Sequence, residues 1–172
     1  IMDLLHPIFG ELELNEFEEY EAIRLIKFSG LEKEVKITFD DEINEKHCQA
    51  YQYFIENLDR ITPEIIQSMI EYQNECHDYT DYTASFKYFE NTNDVVGNTE
   101  LFEIVLQTEL HGVVTDSNLY HKVMKEELNG TEEERYVVLL FEAKWVNDDY
   151  HILSVALANE KVIYVTDENI TI

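Results

Sequence analysis

The chain has 172 residues, with 12 Lys+Arg against 37 Asp+Glu, a formal charge of -25 at pH 7. Such a polyanion repels nucleic-acid phosphates and anionic lipid headgroups, so direct binding to either is disfavoured, and the partner its field attracts is a basic protein. At 45% hydrophobic residues it still carries enough apolar surface to offset chain ordering, and its length fits one domain, 1–172, better than two.

Ile1 precedes Met2, so Met2 reads as the native start. The segment MDLLHPIFGELEL lacks a basic n-region and a sustained apolar core, and the longest apolar run, VVLLF at 137–141, is far shorter than a membrane span. Two cysteines are too few for a disulfide scaffold and suit a reducing compartment, so a cytoplasmic protein is expected.

Residues 1–40 read as strands. Ile8, Leu12 and Leu14 alternate with Phe9, Glu11 and Glu13, AIRLIKF at 22–28 ends at Ser29-Gly30, and Val35, Ile37 and Phe39 alternate with Glu34, Lys36 and Thr38. These make a three-stranded meander with NEFEEYE as its first turn. From Asp41 the period changes to three and four through Ile43, His47, Tyr51, Phe54, Ile55 and Leu58, with Asp40 or Asp41 placed to cap. Thr62-Pro63-Glu64 then carries the signals of a second helix start, ahead of Ile65, Ile66, Met69 and Ile70, so 41–76 is expected to be a helical hairpin.

Residues 77–98, rich in Tyr, Asn, Asp and Thr, read as a long loop with at most a short strand near 85–89. ELFEIVLQTELHGVVT is expected to pass from a short helix into a strand near 109–115. For 117–130 the pattern is open between a helix capped by Ser117 and a hairpin closed at Asn129-Gly130. Val137, Leu139, Phe141, Ala143 and Trp145 then share one strand face, and ILSVALA and KVIYV follow as neighbouring antiparallel strands. The whole is α+β: a mostly antiparallel sheet, meander plus C-terminal strands over 99–172, packed by the two-helix hairpin.

Sites with catalytic chemistry are sparse. Serines 29, 68, 85, 117 and 154 lack a nucleophile-elbow context, and five glycines include no phosphate-binding loop. Asp148, Asp149 and His151 resemble a partial metal site, but Asn147 to Tyr150 reads more simply as the turn between two strands. In a helical hairpin Cys48 and Cys76 would be neighbours flanked by His47 and His77; adjacent helical residues point about 100° apart, so buried free thiols are favoured over a metal centre. No catalytic residue, cofactor or metal ligand is assigned. The expected partner-binding surface combines acids with interleaved aromatics: Glu16, Glu18, Glu19 and Tyr20; Tyr79, Tyr82 and Tyr88; Glu132, Glu133 and Glu134; and Asp148 and Asp149.

Three blocks, HPIFGELEL, ITFDDEINEKHCQAYQYFIENLDRITPEIIQSMIEYQ and FEAKWVNDDYHILSVALANEKVIYV, together resemble a bacterial domain family of unknown function found among immunity-like neighbours of polymorphic toxins. Residues 76–134 lie outside the likeness. Trp145, Asp148, Asp149 and His151 match the family's final motif, while Ile152 stands where that motif has glycine, so the close approach a glycine permits is lost here. The family brings no established activity. The resemblance implies an α+β fold and an immunity protein (antitoxin) that neutralises a basic toxin such as a nuclease. An adaptor or DNA-mimic regulator of a basic host protein is the alternative, and a metal-dependent hydrolase built on acids with His151, Cys48 or Cys76 is the second; oligomeric state is left open.

Overall fold

The computed structural model describes residues 4–78, 88–110, 112–124, 134–146 and 151–171. Among these residues eight strands form one sheet in which each pairs with the next along the chain. They are β1 (Leu4–His6), β2 (Gly10–Leu14), β3 (Tyr20–Phe28), β4 (Leu31–Phe39), β5 (Thr99–Gln107), β6 (Tyr136–Ala143), β7 (Ile152–Ala158) and β8 (Lys161–Thr166). All pairings are antiparallel except β4 with β5, which is parallel. A parallel pair needs a long crossover, and here it carries α1 (Glu45–Asp78). The N-terminal meander has four strands rather than three, because β1 is too short for its alternation to register.

The expected α+β fold is present, but the helical hairpin is not: α1 is one helix of 34 residues that continues past Pro63. The reason is a buried stripe, Tyr51, Phe54, Leu58, Ile61, Ile65 and Met69, whose steps of three and four residues continue across the proline without a skip. Burying each side chain contributes about 1.5–3 kcal/mol, so the stripe together outweighs the ~3 kcal/mol penalty of an interior proline. Pro63 sits on the exposed face, and the Thr62 hydroxyl, rather than capping a new helix, donates to the Leu58 carbonyl at 2.6 Å. Glu64 accepts the Val162 amide at 3.3 Å and the Tyr72 hydroxyl accepts that of Asp167 at 3.1 Å, so α1 also ties down both ends of the β8 edge.

The order of helix and strand in 99–115 is the reverse of that expected. β5 comes first, and α3 (Gly112–Thr115) and α4 (Asn118–Lys122) follow, α4 capped by Ser117, whose hydroxyl accepts the Tyr120 amide. β5 misleads because both its faces are covered and a bulge falls between Leu101 and Glu103, so its apolar residues do not alternate. Leu101, Ile104 and Leu106 face the main core with α1. Val105, with Val138, Ala156 and Ile163, faces a second core under Val114 of α3 and Val123. Within the expected loop, α2 (Thr92–Gly97) is capped by Asn91 and buries Val95. The shared face of Val137, Leu139, Phe141, Ala143 and Trp145 lies in the main core as expected. No described helix is long and apolar enough to cross a membrane.

Candidate functional site

Where the β2–β3 turn faces the junction between β4 and α1, the surface opens into a cleft of about 580 Å³. Leu4, Leu12, Phe39 and Ile43 supply its apolar lining, and Glu18, Glu19, Asp40, Asp41 and Glu42 supply five carboxyl groups; His6 and Tyr20 complete it.

One wall is shaped by Asn15. Its Oδ1 accepts the amides of Phe17 and Glu19 at 2.9 and 3.0 Å, folding the chain back so that Glu18 adopts a left-handed φ of 61°. His6 acts similarly: Nδ1 accepts the Ile8 amide at 3.1 Å across Pro7, which assigns the proton to Nε2.

The other wall hangs on Asp40. Its Oδ1 accepts from Nε2 of the fully buried His47 at 2.7 Å, and its Oδ2 accepts the amide and hydroxyl of Thr108 at 2.7 and 3.1 Å. Burial alone pushes this carboxyl up, but the hydrogen bonds from His47, Thr108 and Glu109 more than offset it and hold the group below the ordinary aspartate range. Asp40 therefore stays anionic and fastens the start of α1 to the end of β5. It does not cap the helix; Asn44 does, accepting the Lys46 amide at 2.9 Å.

A buried His–Asp pair beside a cleft invites a catalytic reading, which the hydrogen bonds oppose. The Asn44 amide donates to His47 Nδ1 at 3.1 Å while Nε2–H serves Asp40, so both ring nitrogens are engaged and neither reaches solvent. Among the described residues no group of three or more His, Cys, Asp or Glu is arranged to hold a metal ion. Cys48 and Cys76 sit 28 positions apart on one continuous helix, roughly 42 Å along its axis, so the expectation that they are neighbours is overturned. Burial pushes both thiols up and disfavours a reactive thiolate. His77 stacks on Tyr88, ring centroids 4.0 Å apart.

The expected partner-binding residues thus divide. Glu18, Glu19 and Tyr20 meet in the cleft, and Glu16 is exposed on the same turn but outside the lining. Tyr88 lies at the opposite end of α1, its hydroxyl donating to Asn74 at 3.0 Å, and Glu134 precedes β6, so neither joins the cleft. Tyr79, Tyr82, Glu132, Glu133, Asp148 and Asp149 fall outside the described residues. His151, beside the last two, donates from Nδ1 to the Val146 carbonyl at 2.8 Å, with a φ of 53° that suits a turn. Sequence reasoning missed Asp40, Asp41 and Glu42 as site residues. Three consecutive acids at a strand end were a visible signal, but only the tertiary fold sets them across from Glu18 and Glu19.

No curated protein and no solved structure matches the chain. A family model described as a domain of unknown function, DUF6985, matches residues 8–172, and the chain belongs to that family.

Proposed function

We propose that this protein is a non-enzymatic binding protein for a basic protein partner, and that its cleft receives a cationic side chain or loop of that partner. The observation that carries the reading is the cleft's composition: five carboxyl groups around an apolar lining with no Lys or Arg among the described lining residues. Arg and Lys side chains combine an apolar stem with a charged head, which is the chemistry such a lining complements. A net charge of -25 adds long-range steering, giving fast association that weakens as salt rises.

Within this reading the partner is a toxin with a basic substrate groove, such as a nuclease, and the protein is its immunity protein. The sequence resemblance to immunity-associated domains favours that choice. Co-expression with the product of the adjacent upstream gene, scored by growth and by co-purification at low and high salt, tests it. Rescue with a salt-sensitive complex that is lost on Glu18→Lys/Glu19→Lys/Asp41→Lys supports the proposal. A complex indifferent to those reversals and to salt overturns the cleft's role.

A further inference from the structure

The inner face of the sheet is covered by α1, with residues from β2 to β8 in one buried cluster. Among the described residues the outer face is covered across β5–β8, by α3, α4 and Ile170. Over β1–β4 no described helix lies above the outward side chains, and Leu5, Ile23 and Leu25 are 80%, 47% and 65% exposed. Register sets their surroundings. Leu5 lies opposite Glu11, Leu25 opposite Glu34, and Glu13 directly opposite Glu21. Like charges facing each other across an antiparallel pair destabilise the sheet, and the described ion pairs neutralise neither Glu13 nor Glu21. The outward cations of this half-face are Lys27 and Lys36, fewer than its acids.

We propose that this half-face docks an amphipathic helix of the basic partner, an inference that rests on the basic-partner reading above. The helix's apolar stripe would seat on Leu5, Ile23 and Leu25, and its flanking Lys or Arg side chains would answer Glu13, Glu21 and Glu34. A helix fits because helices already cover the same surface over the other half of the sheet. An added strand is the poorer occupant: β8 has both ends of its edge tied down by α1, and β1 offers only three residues. A second copy is opposed by charge, since it would bring two chains of -25 and two acidic faces together.

The test uses a helix-forming peptide of about five turns with a leucine stripe flanked by lysines, and a scrambled peptide of the same composition, each titrated into the full chain by fluorescence anisotropy. The patterned peptide is expected to bind about tenfold tighter than the scrambled one, and Ile23→Thr/Leu25→Thr to remove that advantage. Threonine keeps the strand propensity, and an unchanged unfolding midpoint certifies the fold. Glu56→Gln/Glu75→Gln, on the exposed side of α1 and outside both the cleft and the half-face, should leave the affinity ratio of the two peptides unaltered. Equal binding of the two peptides, or no loss on Ile23→Thr/Leu25→Thr, overturns the inference. So does sedimentation showing a dimer that dissociates on the same substitutions, since the occupant is then a second copy. A co-expressed basic partner that binds this variant normally but not the cleft variant removes the half-face from the interface and leaves the proposed function standing.

Discussion

The two halves of the sheet share a meander topology and differ in what covers them. In β5–β8 side chains on both faces are buried, including Ile104, Val138, Leu139, Phe141, Val155 and Ile163 at no more than 0% exposure. In β3 and β4 only alternate positions such as Ala22, Ile26, Val35 and Ile37 are inside, and their neighbours meet solvent. The C-terminal half is therefore the stable base of the fold. The N-terminal half is the one with surface to spare for a partner, on its outer face and in the cleft at its edge.

The largest expected effect tests that division directly. Leu139→Ala in β6 should lower unfolding free energy by about 2–5 kcal/mol in denaturant titration, whereas Leu25→Ala in β3 should change it by less than about 0.5 kcal/mol. Comparable losses at the two positions would mean that the outer half-face is not open.

Next comes the tie between the halves. Asp40→Ala removes the acceptor for the buried Nε2–H of His47 and should cost about 1–3 kcal/mol. The tie also carries a pH signature. The folded Asp40 titrates below the ordinary value of 3.8, so its contribution is complete above that value and is lost as pH falls through the folded pKa. Asp40→Asn should remove this component from the acid limb of a stability-versus-pH curve. An unchanged acid limb would show that the carboxylate is not the fastening.

These contrasts also explain what could be read in advance. The alternation of Val35, Ile37 and Phe39 is plain because one face of β4 meets water, and the inward set from Val137 to Trp145 is likewise visible. β5 shows no such pattern because covering both faces erases the alternation. Thr62-Pro63-Glu64 imitates a helix boundary, and only the uninterrupted stripe from Tyr51 to Met69 speaks against it. Of the cleft, Glu18, Glu19 and Tyr20 were legible as exposed acid and aromatic in a turn. Their opposition to Asp40, Asp41 and Glu42 depends on the pairing of β2, β3 and β4, which no local pattern encodes.

Pro63 gives the third prediction. It is exposed and has no N–H to donate to the i−4 carbonyl of Asp59, so Pro63→Ala should stabilise the chain by about 1–2 kcal/mol. Destabilisation would show that a bend at Pro63 is needed to follow the sheet.

The smallest effect separates two turns of the same kind, one in each half. Ser29-Gly30 joins β3 to β4 and Asn159-Glu160 joins β7 to β8, and all four residues have positive φ, the geometry of a two-residue hairpin turn. Ser29, at φ 51°, is exposed and its side chain secures nothing described, so Ser29→Asn should gain roughly 0.5 kcal/mol by suiting the left-handed region better. Glu160, at φ 62°, has the same backbone strain, yet its carboxylate accepts from Arg135 Nη2 at 3.0 Å and Nε at 3.3 Å, and that guanidinium lies 4.0 Å over the Tyr53 ring. Glu160→Gly should therefore destabilise despite relieving the strain, because it removes the carboxylate to which a largely buried arginine donates two hydrogen bonds. Opposite signs in thermal unfolding of the two variants would show that the C-terminal half uses even its turns for packing, while the N-terminal half leaves its turn free. Equal signs would remove that distinction.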